Sequence, residues 1–389
     1  MHRRRLSQQV GAQRILTRIQ QVIDSPLEAV GHELSGAFTE LQDSNARAQA
    51  TFNFASLARD FDTILDLLPR TYGQRFRFDG AMIIGSIDSL ASQQLTLNPM
   101  IVPLHSNSNK WGHQSLPLPS HSKTEIKMVD FLLFPGRDDL SEVNLLSYPF
   151  LLHELGHNIL FKYDEVFRVG FKQALDTITK KLALSSIADQ GAARLQSQQT
   201  IDTVRTFWHP TADHKNWAHE LAIDIMALWL TGPAYLAAFV DETDKPDIDP
   251  FFVQDHPPYE LRAKVLIQVG ETLGWKKYCD VLNQLLVDWR TSRQTSDTSE
   301  VNRYVALSNE EIINSCITFA LETCRTLQLP QCNEAVVTKL QKALGRGDIP
   351  DLGLELIITA WLVHEERGED AYHLWQSQAI QDLQEYITQ

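Results

Sequence analysis

The stretch FLLHELGHNIL, residues 150–160, decides how the rest of the chain is read. It places His153 and His157 four apart, with Glu154 beside the first, inside a run of apolar residues. On an α-helix residues four apart share a face, so both imidazoles can point at one ion. Glu154 is then angled to reach a water at that ion rather than the ion itself. Two imidazoles and a carboxylate on an apolar helix are costly unless paired or ligated. The competing reading is a pair of satisfied core histidines.

Working outward, a catalytic zinc takes three protein ligands and keeps an open position. A third ligand must therefore come from another element. Downstream candidates are His209, His214, His219, Glu220 and Asp224. His209 and His214 lie in WHPTADHKNW, a loop-like stretch where exposed histidines are common. NWAHELAIDIMALWL (216–230) reads as a very apolar helix carrying Glu220 and Asp224 on one face. A buried acid pair there is strongly disfavoured without partners. Glu220 can be the third ligand, and Asp224, one turn on, can accept the free N–H of His153. Otherwise the two acids cap the helix or face solvent. His219 points about 100° away from Glu220 and competes poorly.

The wider composition sets limits. The chain has 389 residues, long enough for two or three domains. Apolar content of 43% and charged content of 22% fit a packed globular protein rather than a disordered one. A net charge of −14 opposes general nucleic-acid or anionic-membrane binding. Arg3, Arg4, Arg5, Arg14 and Arg18 precede the first acid, Asp24, and the segment lacks the apolar run of a secretory signal. It reads as a solvated helix face. LAIDIMALWLTGPAYLAAFV (221–240) has bilayer length, but Asp224 and the Gly-Pro at 232–233 argue for two core helices and no membrane span. Cys279, Cys316, Cys324 and Cys332 have no C-x-x-C spacing and read as reduced thiols of a cytoplasmic protein.

Along the chain, apolar periodicity predicts helices over 8–24 and in FASLARDFDTILDLLPR (54–70). RFRFDGAMIIGSI (75–87) and QLTLNPMIVPL (94–104) look like short strands, and TEIKMVDFLLF (124–134) is the clearest strand. Residues 105–123 read as a long Ser-, Pro-, Asn- and His-rich loop. Helices follow over 165–184, 188–207 and 216–230, with two more in the stretch that starts at HPPYELR. After a polar linker at 290–303, a C-terminal bundle of about four helices opens on a capping box, Ser308 and Glu311. The expected class is α+β, predominantly helical. Its parts are an N-terminal helical segment (1–70), a central domain (71–290) with a small sheet and active-site helices, and a C-terminal helical domain (304–389).

Three blocks in order, HELGH, the Glu-x-x-x-Asp helix and HPPYELR (256–262), resemble the gluzincin zinc metallopeptidases. They are most similar to the M48 group (HtpX- and Ste24-like peptidases). The likeness covers about 124–270. It implies a zincin-like core, Zn2+ held by His153, His157 and Glu220, and Glu154 as general base. It further implies Asp224 orienting His153, His256 hydrogen-bonding the oxyanion, and Arg262 positioning the His256 loop. The bland reading of His256 is a cap on the following helix. Two departures stand out: transmembrane helices are common in that group, and Ile223 stands where the ligand helix usually has Ala before the Asp.

The expected activity is zinc-dependent hydrolysis of a protein or peptide laid along an edge strand, taken as 124–134. The C-terminal helices would receive a regulatory partner. The alternatives are a zinc-fold binding or regulatory protein, or a metal-dependent hydrolase of a non-peptide substrate.

Overall fold

The computed structural model describes residues 74–90, 101–106, 111–118, 127–136, 141, 143–185, 192–210, 216–245, 248–253, 256–292, 304, 307–348 and 350–387. The Arg-rich start and the helices expected at 8–24 and 54–70 lie outside these residues, as does most of the 290–303 linker. The described part is predominantly helical with one small sheet, an α+β arrangement.

Helix α1 (Gln74–Leu90) occupies the stretch expected as a strand at 75–87. The alternation Arg75-Phe76-Arg77-Phe78 suggested a strand. The buried set continues through Phe78, Ala81, Met82 and Ser86, which is helical spacing. Gly85 is needed where α1 meets the chain ahead of a later helix. A Cβ there would sit 2.6 Å from the Leu352 carbonyl oxygen. Asp79, fully buried, accepts a hydrogen bond from the Tyr148 hydroxyl, which ties α1 to the entrance of the motif helix.

Strands β1 (Ile101–Ser106), β2 (Gly112–Leu118) and β3 (Lys127–Pro135) form a three-stranded sheet in the order β1-β3-β2. β1 runs parallel to β3, with Ile101 opposite Asp130, and β2 runs antiparallel, with His113 opposite Leu132. Two expectations are corrected here. The 105–123 segment contains a strand, and β3 (the expected 124–134 strand) is central rather than an edge. Proline explains the order, because it cannot donate to a ladder and is confined to edges or ends. Pro103 lies within β1 and Pro117 within β2, whereas β3 has its proline only as its last residue.

A 3-10 turn (Leu145–Ser147), capped by the Asn144 side chain, leads into α2 (Pro149–Ser185). α2 carries the HELGH motif and continues through the helix expected at 165–184. It bends at Tyr163, whose φ/ψ of −123°/28° are non-helical. α3 (Ala192–Trp208) follows, and then α4 (Trp217–Thr231), in which every residue is buried. A helix apolar on all sides belongs at the centre of a core. α4 lies against α2, and the break expected at Gly232-Pro233 is present. Gly232 has φ +57°, a Cβ there would meet Cys332 Sγ at 2.8 Å, and α5 (Pro233–Thr243) starts afresh.

Helices α6 (Tyr259–Thr272) and α7 (Lys276–Ser292) separate at Leu273–Trp275, where Gly274 takes φ +91°. Further along come α8 (Glu310–Thr326), α9 (Glu334–Gly345), α10 (Leu354–Arg367) and α11 (Glu369–Ile387). The capping box expected at α8 is not made. Asn309 is the N-cap, its side chain accepting from the Glu311 and Ile312 amides, while Ser308 Oγ donates to the Tyr304 carbonyl. α8 packs on both α2 and α4, and one buried apolar core runs from Phe78 to Leu383. The four cysteines are free and buried. Among the described residues no helix is long and apolar enough to cross a membrane.

Candidate metal centre

Two crossing helices build the site. Gly156 lies between the two histidines of α2, and a Cβ there would come within 2.7 Å of Ile223 Cγ2 on α4. Absence of a side chain at 156 therefore allows α4 to approach closely, and Ile223 fills the space at the crossing. The approach brings His153, His157 and Glu220 together, with one ligand atom from each lying within 4.8 Å of the others.

His153 Nε2 is 3.5 Å from Glu220 Oε2, and His157 Nε2 is 3.9 Å from Glu220 Oε1. The imidazole rings are 5.4 Å apart and nearly perpendicular, at 84°. Glu154 Oε2 lies 3.8 Å from His157 Nε2, which puts its carboxylate at the rim of the same space. His153, Glu154 and Glu220 are buried, while His157 is partly exposed and opens the site to solvent.

Asp224, fully buried, binds on three sides. Its Oδ1 is 2.9 Å from His153 Nδ1 and accepts from the Tyr235 hydroxyl. Its two oxygens receive Arg262 Nε and a terminal guanidinium nitrogen at 2.7 Å each. Such a bidentate, charge-assisted pair fixes the carboxylate in position and in plane. Asp224 thereby holds Nδ1 of His153 and leaves Nε2 aimed at Glu220. Arg262 lies over the Phe239 and Tyr259 rings, 5.3 and 5.5 Å from their centres. The resemblance implied that Arg262 steadies the His256 loop; in the structure its ion pair is with Asp224.

His256 Nε2 stands 3.7 Å from Glu220 Oε1, with 61% of its side chain exposed. It does not cap α6, whose N-cap is Pro258 with no side-chain cap bond. His219 is used elsewhere. Its Nδ1 is 2.6 Å from Asn216 Nδ2 and its ring meets Phe167 edge-on, so it turns away from the centre. His209 carries no part of the cluster, and His214 lies outside the described residues.

Two site residues escaped the sequence reading. Tyr235 on α5 reaches Asp224 and lies 3.3 Å from His153 Nδ1. A tyrosine in an otherwise apolar run is a weak hint of a buried polar partner. His113 on β2 stacks on His157, ring centres 5.5 Å apart and planes within 7°. Sequence offered no signal that separated it from His105 and His121 in the same polar segment.

The electrostatics suit a cation. Burial pushes the Glu154 carboxyl up to about 7, with Glu220 adding to the rise and His153 opposing it. Burial lowers His157 to about 3, so its ring is neutral and its lone pair free to ligate. Burial opposes charge on His153 too, but the carboxylates of Asp224, at 2.9 Å, and Glu220, at 3.5 Å, outweigh it and raise the group to about 10. In Glu220, burial is overcome by the neighbouring histidines and the carboxyl falls to about 2. Arg262 and His153 likewise hold Asp224 well below the usual carboxylate range against its burial.

Glu220 Oε2 is buried without a hydrogen-bond partner. An orphaned carboxylate oxygen beside two imidazole nitrogens is costly as it stands and well suited to a divalent cation. The three residues could therefore hold a metal ion. No family model matches the chain, and neither does a curated protein or a solved structure.

Proposed function

We propose that the chain is a zinc-dependent metallopeptidase of gluzincin type, with His153, His157 and Glu220 as metal ligands and Glu154 as general base. The observation that carries this reading is the convergence of those three ligand atoms around the unpartnered Glu220 oxygen, with Glu154 at the rim. A zinc ion held there supplies a lowered pKa for a bound water and polarises a substrate carbonyl.

The protein's own groups do the rest. Asp224 and Tyr235 hold His153 by its Nδ1, so that Nε2 faces the centre. Arg262 locks Asp224 in turn. Glu154, poised near neutrality by burial, takes the proton of the attacking water and later delivers it to the leaving amine. His256, exposed at the lip, is placed to donate to the developing oxyanion. A protein or peptide substrate would lie extended along β2, the edge strand whose His113 sits over the ligand helix. β2 takes the place that the sequence reading gave to 124–134.

The test is Glu154→Gln. Zinc content should stay at one per chain while cleavage of a peptide library falls by at least about a hundredfold. Wild-type cleavage by this variant would refute the mechanism. Zinc bound without cleavage by the wild type would instead favour a zinc-fold binding protein, and activity on small esters or amides alone would favour a non-peptide hydrolase.

A further inference from the structure

Each imidazole ligand needs its ring plane held, because a freely rotating ligand loses entropy on binding metal. Asp224 and Tyr235 do this for His153. For His157 the structure shows a different device, and it comes from the sheet. β2 carries His113 directly opposite Leu132, with Asp130 two pairs further along β3, opposite Ser115. Residues two apart on a strand share a face, so Asp130 is the diagonal neighbour of His113, within side-chain reach. Its Oδ1 is 3.3 Å from His113 Nε2. Asp130 is buried, beside Leu132 and Phe134 on the same face of β3, and so is a firm anchor. The anchored ring is parallel to His157 within 7°.

We propose that His113 is a positioning residue for the metal centre, which clamps ligand His157 by ring stacking and is itself held by Asp130. The inference rests on the metal centre proposed above and adds a role for the edge strand. The sheet contributes to the centre through an imidazole face, not through a ligand atom. The strand that would bind substrate is thereby tied to one of the ligands. Aromatic pairs at this separation are attractive beyond the area they bury, and the flat face restricts rotation of its neighbour. Loss of such outer supports commonly weakens metal binding about 10- to 100-fold.

The experiment compares two variants of the full chain in one background, His113→Phe/Asp130→Asn and His113→Leu/Asp130→Asn. Both fill the volume at 113 and both remove the buried charge at 130, so neither strands an unpaired carboxylate. Only phenylalanine keeps a flat face. Zinc dissociation constants are read by competition with a chromophoric chelator, and ligand geometry by the d–d absorption bands of the cobalt-substituted protein. The expected result is zinc affinity roughly tenfold or more weaker for the leucine variant than for the phenylalanine variant. Its cobalt bands should shift, while the phenylalanine variant keeps bands close to wild type. Equal affinities and identical cobalt spectra for the two would overturn the clamp while leaving the metal centre intact. A different failure marks the underlying reading: a wild-type chain that binds no zinc, or a His157→Ala variant that binds it as tightly as wild type, removes the centre and the clamp together. Should the leucine variant fail to fold, His113→Met/Asp130→Asn takes its place against the phenylalanine variant, filling the volume without a flat face, with the same two outcomes.

Discussion

Asp224→Asn isolates one charge without changing side-chain volume. The native carboxylate is fully buried and accepts two bonds of 2.7 Å from Arg262. The amide can accept one of them but presents N–H to the other, leaving a buried guanidinium short of its counter-charge. Removing one partner of a buried ion pair costs roughly 3–5 kcal/mol. At roughly 2–4 °C per kcal/mol, the melting temperature of the chelator-treated protein should fall by about 6–20 °C. Stacking of Arg262 over Phe239 and Tyr259 survives the change and favours the lower part of that range. A second variant, Asp224→Asn/Arg262→Met, removes the stranded charge and should recover part of the loss. Zinc affinity should fall about 10- to 100-fold in both, because His153 Nδ1 loses its carboxylate in both. Differential scanning calorimetry and chelator competition measure the two effects separately. If the single variant melts within about 2 °C of wild type, or the double variant melts no higher than the single, the account of Arg262 and Asp224 as a mutually dependent buried pair is wrong.

On the proposed ligand assignment, zinc and a proton would compete for the same Nε2 of His153. His157 and Glu220 are already in their ligating forms at pH 7.5, since they are lowered to about 3 and about 2, whereas His153 is raised to about 10. Zinc binding at pH 7.5 should therefore release about one proton, with a further fraction from Glu154. Calorimetry in buffers of differing ionisation enthalpy reads the number, and zero release would refute the assignment. The same shift sets the alkaline behaviour of the metal-free protein. A histidine raised from 6.5 to about 10 contributes stability fully below pH 6.5 and loses it as pH rises toward 10. Chemical denaturation of the metal-free protein between pH 6.5 and 10 should show a decline that His153→Gln lacks. Gly156→Ala should push α2 and α4 apart at Ile223, cost roughly 1–3 kcal/mol and weaken zinc binding. Ile223→Ala in the same chain should restore both, and an unperturbed Gly156→Ala would show that the crossing is looser than the structure has it.

How far the sequence carried depended on the range of the interactions involved. The HELGH pair needed only helical periodicity, because His153 and His157 lie within one turn of each other and the backbone sets their common face. The same local logic found Glu220 and Asp224 on the following apolar helix and the break at Gly232-Pro233. It misjudged α1, where four residues of alternation concealed a helix whose burial extends over several turns. It also took Ser308 for the cap that Asn309 provides, a difference of one residue within the same polar run.

What local pattern could not supply was the pairing. β2 is a strand because β3 offers it a ladder, and its own Ser-, Pro- and His-containing sequence has little strand character of its own. Pro103 and Pro117 mark β1 and β2 as edge strands, a signal that the reading of 124–134 as the edge did not use. Joining His153 and His157 to Glu220 required a glycine at the helix crossing, and recruiting Tyr235, Arg262 and His113 required three further elements to arrive from elsewhere in the chain. Residue types and spacing along a single helix determined what chemistry was on offer. Packing between elements decided which groups share a low-dielectric space, and hence which carboxylate meets which imidazole.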